Sequence, residues 1–145
     1  MKIRTIIAGF LVVVLVSLLA TGTAVLAGEI LVIANNSVPA DNLSSTTVSD
    51  IYLGNISRWN NGDSIRVVML KKGATHETFT REIVGETPER LKKYWKKAIF
   101  TGTGTPPKVV KTEADVVNFV AATRGAIGYI DSSISHGGVK VISVK

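Results

Sequence analysis

Asp50-Ile-Tyr-Leu-Gly-Asn-Ile-Ser-Arg-Trp59 and Gly125-Ala-Ile-Gly-Tyr129 are the two strings on which the fold turns. The first reads as a helix end, a glycine stop and a turn that lands an aromatic anchor. Val48, Ile51 and Tyr52 fall at i, i+3, i+4, one face of a helix. Ser44 can cap that helix, and Gly54 is its natural stop, since glycine takes the left-handed C′ conformation cheaply. The second string reads as a glycine turn entering a short buried strand, Ile127 to Ile130.

Outward from these strings, strands alternate with helices. Glu29 to Ala34 is an apolar, β-branched run that reads as a buried strand. Asn35-Asn-Ser-Val-Pro39 breaks it, because Pro39 lacks the N–H a central ladder needs. Trp59 to Gly62 is a turn, and Ile65 to Leu70 is a second strand. Lys71 to Thr75 leads into a helix carrying Phe79, Ile83 and Val84. Thr87-Pro88 is a cap with proline at the first helical position, where its missing N–H costs nothing. The helix from Pro88 to about Ile99 is expected to bury Leu91, Trp95, Ala98 and Ile99. Thr101 to Pro107 is a punctuated loop, and Val109-Val110 is a short strand. Thr112 with Asp115 resembles a capping box opening a helix to about Thr123. Val139 to Val144 is the last strand. The alternation implies an α/β three-layer domain, with a mainly parallel sheet flanked by helices.

The N-terminus reads as a targeting segment. Lys2 and Arg4 form a basic n-region, and Ile6 to Ala20 is apolar apart from Gly9 and Ser17. Val25-Leu26-Ala27 suits a cleavage site before Gly28, so residues 1–27 are expected to be a signal peptide and 28–145 a single domain. An uncleaved membrane anchor is the alternative, although the apolar core is shorter than the usual ~20-residue span. Cleavage implies a periplasmic or secreted protein.

The chain has 145 residues, a formal charge of +6 and no cysteine. A disulfide framework, a thiol nucleophile and a thiolate metal site are therefore excluded. Without Lys2 and Arg4 the balance is 15 basic to 11 acidic residues, or +4. That balance favours anionic partners in general. His76 and His136, the two histidines, lack second ligands at metal spacing. No serine has a traceable base and orienting acid, so neither a catalytic role nor a cofactor is expected. Arg90-Leu-Lys-Lys-Tyr-Trp-Lys-Lys97 mixes basic and aromatic residues, as nucleic-acid binders do. Helical spacing nevertheless puts Leu91 and Trp95 on one face and the lysines towards the other. A solvated basic face, with no nucleic-acid partner, is the reading adopted. Thr101-Gly-Thr-Gly-Thr105 lacks the Lys-Ser/Thr ending of a P-loop and reads as a surface loop.

The candidate site is Lys71-Lys-Gly-Ala-Thr-His-Glu-Thr-Phe79. A strand ends, a small-residue turn follows and a helix begins. The first N–H groups of a helix lack intrahelical partners and attract anions. Gly73 and Ala74 leave room for an oxyanion, Thr75 adds a hydroxyl, and the N–H groups of residues 74–76, ending at His76, face it. The alternative is that Thr75 caps its own helix and the lysines are solvated.

The two opening strings, with Asn35, Val38-Pro39 and Leu43-Ser44, resemble in content and order the second lobe of phosphate-binding proteins serving ABC importers, the PstS-like periplasmic binding proteins. The resemblance runs from about Ile30 to Ile130. It implies an exported solute-binding protein for phosphate or a related oxyanion, with a second lobe or a membrane permease as partner. Such proteins carry a motif like Arg-x-Asp-x-Ser-Gly-Thr at this strand–turn–helix junction. Thr75 matches its Thr, and Phe79 matches a Phe in the helix that follows. Gly73 and Ala74 stand for its Ser and Gly, Lys71 for its acidic residue and Met69 for its Arg. The family's N-terminal lobe has no counterpart before Ile30, so a single-lobe member is expected. The competing expectation is a non-catalytic envelope interaction module that kept the fold and lost the ligand.

Overall fold

A computed structural model describes residues 28–145. The expected signal segment, residues 1–27, lies outside the described residues. Six strands form one sheet: β1 (Ile30–Ala34), β2 (Asn42–Leu43), β3 (Arg66–Leu70), β4 (Lys108–Val110), β5 (Ala126–Asp131) and β6 (Lys140–Val144). Their order across the sheet is β2-β6-β1-β5-β3-β4. The β2/β6, β5/β3 and β3/β4 pairs are parallel. β1 is antiparallel to both β5 and β6. The expected parallel character thus holds at three of five interfaces, and β5 and β6 run the same way with β1 between them. β2 has only two residues and escaped the sequence reading.

The helices are α1 (Ser45–Tyr52), α2 (Ala74–Phe79), α3 (Pro88–Thr101) and α4 (Glu113–Ala122). Their starts follow local chemistry. Ser44, Thr87 and Thr112 each accept, through the side chain, the N–H three residues on. This satisfies one donor that the first turn leaves orphaned. α1 stops where expected, with Gly54 at φ 76° just past its end. α2 runs on into a π-helical turn, Thr80–Val84. There the Thr80 hydroxyl donates to the carbonyls of His76 (2.9 Å) and Glu77 (3.1 Å). Such back-bonding loosens the regular ladder.

β5 organises the layers, because alternate side chains point to opposite faces. Gly128 faces α4: a Cβ there would sit 2.6 Å from Val116 Cγ1 and 2.8 Å from Val68 Cγ1. Only a residue without Cβ lets that helix lie so close to the strand. Tyr129 faces α1 and α2, stacking on Phe79 with ring centroids 3.7 Å apart and tilting against Tyr52 at 5.8 Å. The sheet, both helical layers and the core between them are built from residues 30–144. That stretch encloses a hydrophobic core of its own, which a folding unit requires.

The two strings that set the sequence reading meet in space. Trp59, 7% exposed, donates its indole N–H to the carbonyl of Gly125 at 2.9 Å. Arg66 N–H reaches the same carbonyl at 3.1 Å. Gly125 has φ 76°, and a Cβ on it would strike the Ser64 carbonyl oxygen at 2.3 Å. Asn35 ties the exit of β1 to α4, donating to the carbonyls of Val120 and Ala121.

α3 forms a smaller cluster in which Leu91, Trp95 and Ala98 pack against Leu53 and Met69. One expectation fails here. Ile99 is 59% exposed. It lies roughly 75° from the centre of the buried face at 3.6 residues per turn, outside the cluster that packs on Leu53 and Met69.

Candidate functional site

The end of β3 delivers the chain to an exposed corner. Lys71, Lys72, Gly73 and Ala74 are exposed, Thr75 is half-buried and His76 is buried. Gly73 is the N-cap of α2, at φ 113°, ψ 172°, a conformation side chains rarely adopt. No side chain caps this helix. Thr75 is therefore not the cap, contrary to the simpler sequence reading. It is the second residue of the helix, and its hydroxyl has no hydrogen-bond partner among the described residues. Ala74, Thr75 and His76 N–H groups likewise have no backbone partner among those residues, whereas Glu77 N–H returns to the Gly73 carbonyl at 3.0 Å. Three adjacent donors and one hydroxyl are thus presented at one corner. Gly73 has open space where a side chain would stand.

A cleft of about 550 Å³ opens between this corner and the first turn of α3. Lys71, Lys72 and Lys92 line it together with Glu77 and Glu89. Glu77 is ion-paired to Arg81 at 3.1 Å. Pro88 and Leu91 supply apolar wall. These α3 residues were not found by reading the sequence, since nothing local ties them to residues 71–76.

His76 contributes differently from its neighbours. Its ring points inward, and Nδ1 lies 2.5 Å from the Tyr129 hydroxyl. That hydroxyl accepts the N–H of Leu70 at 2.9 Å. Its own proton is then directed at His76 Nδ1, which makes Nδ1 the acceptor and places the imidazole proton on Nε2. Burial pushes the His76 pKa below its usual 6.5, and Glu77 opposes this weakly. The neutral ring suits the acceptor role. Tyr129 is held protonated by burial, its pKa pushed well above the ordinary phenol value. The Tyr129–His76 link fixes the first turn of α2 against β3 and β5. His76 also lines the cleft beside this corner. The signal in the sequence was the Tyr of Gly125-Ala-Ile-Gly-Tyr129, but its partner lies 53 positions away.

The site as a whole can hold an anion through backbone N–H groups, a hydroxyl and nearby ammonium groups. It has neither arginine nor acidic residue at the positions of Met69 and Lys71, where the resembling family carries them. Gly73, Ala74, Thr75 and His76 form the turn and first residues of α2 at this corner. The Thr101–Thr105 loop is exposed and stands apart from this corner, beside a different groove at the start of β3.

Comparison with known proteins agrees with this architecture. A phosphate-bound protein from Clostridium perfringens, assigned to phosphate ABC transporter substrate-binding proteins, superposes with a TM-score of 0.64 at 25% identity. An ABC-type phosphate transport receptor from Vibrio cholerae gives 0.63 at 17%. PstS from Borrelia burgdorferi gives 0.63 at 15%. Each alignment covers 81% of this chain but only 45%, 46% and 47% of those proteins respectively. The chain therefore spans slightly under half their length. No curated protein matches the sequence. A family profile described as "PBP superfamily domain" matches residues 20–141, and the chain belongs to that family, with a solute-binding fold.

Proposed function

We propose that this protein is an exported, non-catalytic solute-binding lobe that takes inorganic phosphate or a related oxyanion for an ABC-type transport system. The oxyanion sits at Gly73, Ala74, Thr75 and His76. The carrying observation is the row of three N–H groups and the Thr75 hydroxyl beside them, none with a partner among the described residues. Oxyanions favour such helix ends because the donors and the helix dipole point the same way. The phosphate-bound C. perfringens relative supports the ligand class.

Met69 and Lys71 favour a second reading. The resemblance calls for an arginine and an acidic residue there, and this chain supplies neither. The second reading is an envelope interaction module that keeps the fold without the ligand. Under the first reading, binding is weak in the lone lobe and tightens when a second lobe or a permease closes the open side of the cleft.

Heat denaturation in phosphate or sulfate, against chloride at matched ionic strength, separates the two. A ligand that binds only the folded state raises the melting point. Phosphate is expected to give a modest rise beyond chloride. Thr75→Ala should reduce that rise, since it removes a contact of about 1 kcal/mol, somewhat more to a charged partner. Because Gly73 and not Thr75 caps α2, the ligand-free melting point should barely move. Absence of any shift beyond chloride at millimolar phosphate transfers the case to the interaction module.

A further inference from the structure

The outer side of α3 does not serve the core. Leu91, Trp95 and Ala98 face inward. On the opposite side Lys93, Lys96 and Lys97 are exposed, and Lys92, also exposed, stands at the edge of that side. Among the described residues none of the four is in an ion pair. Phe100 stands 92% exposed at the centre of this side. At 3.6 residues per turn it lies within about 60° of Lys93, Lys96 and Lys97, at the i+7, i+4 and i+3 spacings that share a helix face. Ile99, 59% exposed, flanks Lys96 on the same last turn. Glu89 and Arg90, in the first turn, offset one another in charge. A basic arc with an unpacked aromatic at its middle is costly in water, since the ring remains hydrated and the like charges repel.

We propose that this side of α3 docks the protein on an anionic lipid surface. The lysine ammonium groups lie over headgroup phosphates, and Phe100 seats at the headgroup–acyl boundary. The chemistry fits on three counts. Three lysines on one helix face, with a fourth at its edge, form a cluster attracted to an anionic leaflet. Lysine stems can lie along the apolar layer with their charged ends in the headgroups. A helix with basic residues on one side and a bulky apolar residue among them rests in the plane of the interface. One aromatic ring and four charges give reversible association rather than insertion. The lipid face and the cleft meet only at Lys92, which borders that cleft, while Phe100 lies about 12 Å further along the helix at 1.5 Å per residue.

The test is co-sedimentation of residues 28–145, which contain the whole sheet and core, with phosphatidylcholine vesicles. A parallel series carries added phosphatidylglycerol. Binding to the anionic vesicles should be at least about tenfold stronger and should fall as salt is added. Lys93→Glu/Lys97→Glu should abolish the preference, and Lys93→Gln/Lys97→Gln should reduce it. Phe100→Ser should weaken binding several-fold and leave the lipid preference in place. All of these positions are exposed, so the melting point and the phosphate response should match wild type. Equal partition onto neutral and anionic vesicles overturns the proposal. So does a preference that survives the glutamate pair. Displacement from vesicles by free phosphate at matched ionic strength would mark an ion site instead of a lipid surface. Binding to duplex DNA with none to vesicles would mark a nucleic-acid face. An unchanged Phe100→Ser variant overturns the seat assigned to the ring.

Discussion

Tyr129 shows how much one residue carries. Its ring stacks on Phe79, and its hydroxyl joins Leu70 N–H to His76 Nδ1. That link needs a neutral His76, and burial lowers the pKa of this ring below 6.5. The consequence for stability has a definite sign. Above pH 6.5 the ring is neutral in both folded and unfolded chains, and the contribution is complete. As pH falls below 6.5 the unfolded chain takes up the proton first, so stability declines until the folded value is passed. Urea melts at pH 7.5 and at about pH 5.5 should show this loss around a model histidine pKa of ~6.5. His76→Gln keeps an acceptor for the Tyr129 hydroxyl and should flatten the decline over that interval. An equal slope in the variant would assign the acid sensitivity elsewhere.

Helix ends were the most legible elements. Ser44, Thr87 and Thr112 cap the helices that follow them, because capping depends on residues only three positions apart. The docking of α3 was legible in part. Leu91 and Trp95 were placed correctly by periodicity, whereas Ile99 was not. Periodicity reports which side of a helix is apolar and says nothing of where the neighbouring element stops. Trp95 is the main anchor: it is 5% exposed, donates to the Tyr52 carbonyl at 3.1 Å and lies against Gly54. Trp95→Ala should therefore cost about 3–5 kcal/mol in a denaturant melt. A cost near zero would show that α3 is held by something other than this cluster. The π-helical turn after α2 was not legible, since it depends on how Thr80 bonds back within its own helix.

At the scale of the molecule, the PBP-type fold of the described residues is a six-stranded sheet with helices on both faces, and the chain spans under half the length of its structural relatives. No helix among the described residues is long and apolar enough to cross a membrane. The proposed export rests on residues 1–27, through Lys2, Arg4 and the Val25-Leu26-Ala27 site. N-terminal sequencing of envelope fractions should find Gly28 first. Recovery of an intact Met1 in the membrane fraction would establish an anchor instead.

The sequence by itself determined the order and type of nearly every element, the caps and stops, and the position of the β3–α2 corner. These are local matters of hydrogen bonding and periodicity within a few residues. The tertiary structure alone decided that β1 runs antiparallel between β5 and β6. It also decided that Gly128 admits α4 against the sheet. It turned the His76 ring onto Tyr129 and gave the β3–α2 corner a wall from α3. Each joins residues far apart in the chain, and their pairing is chosen by which faces can bury each other, information that no short window of sequence contains.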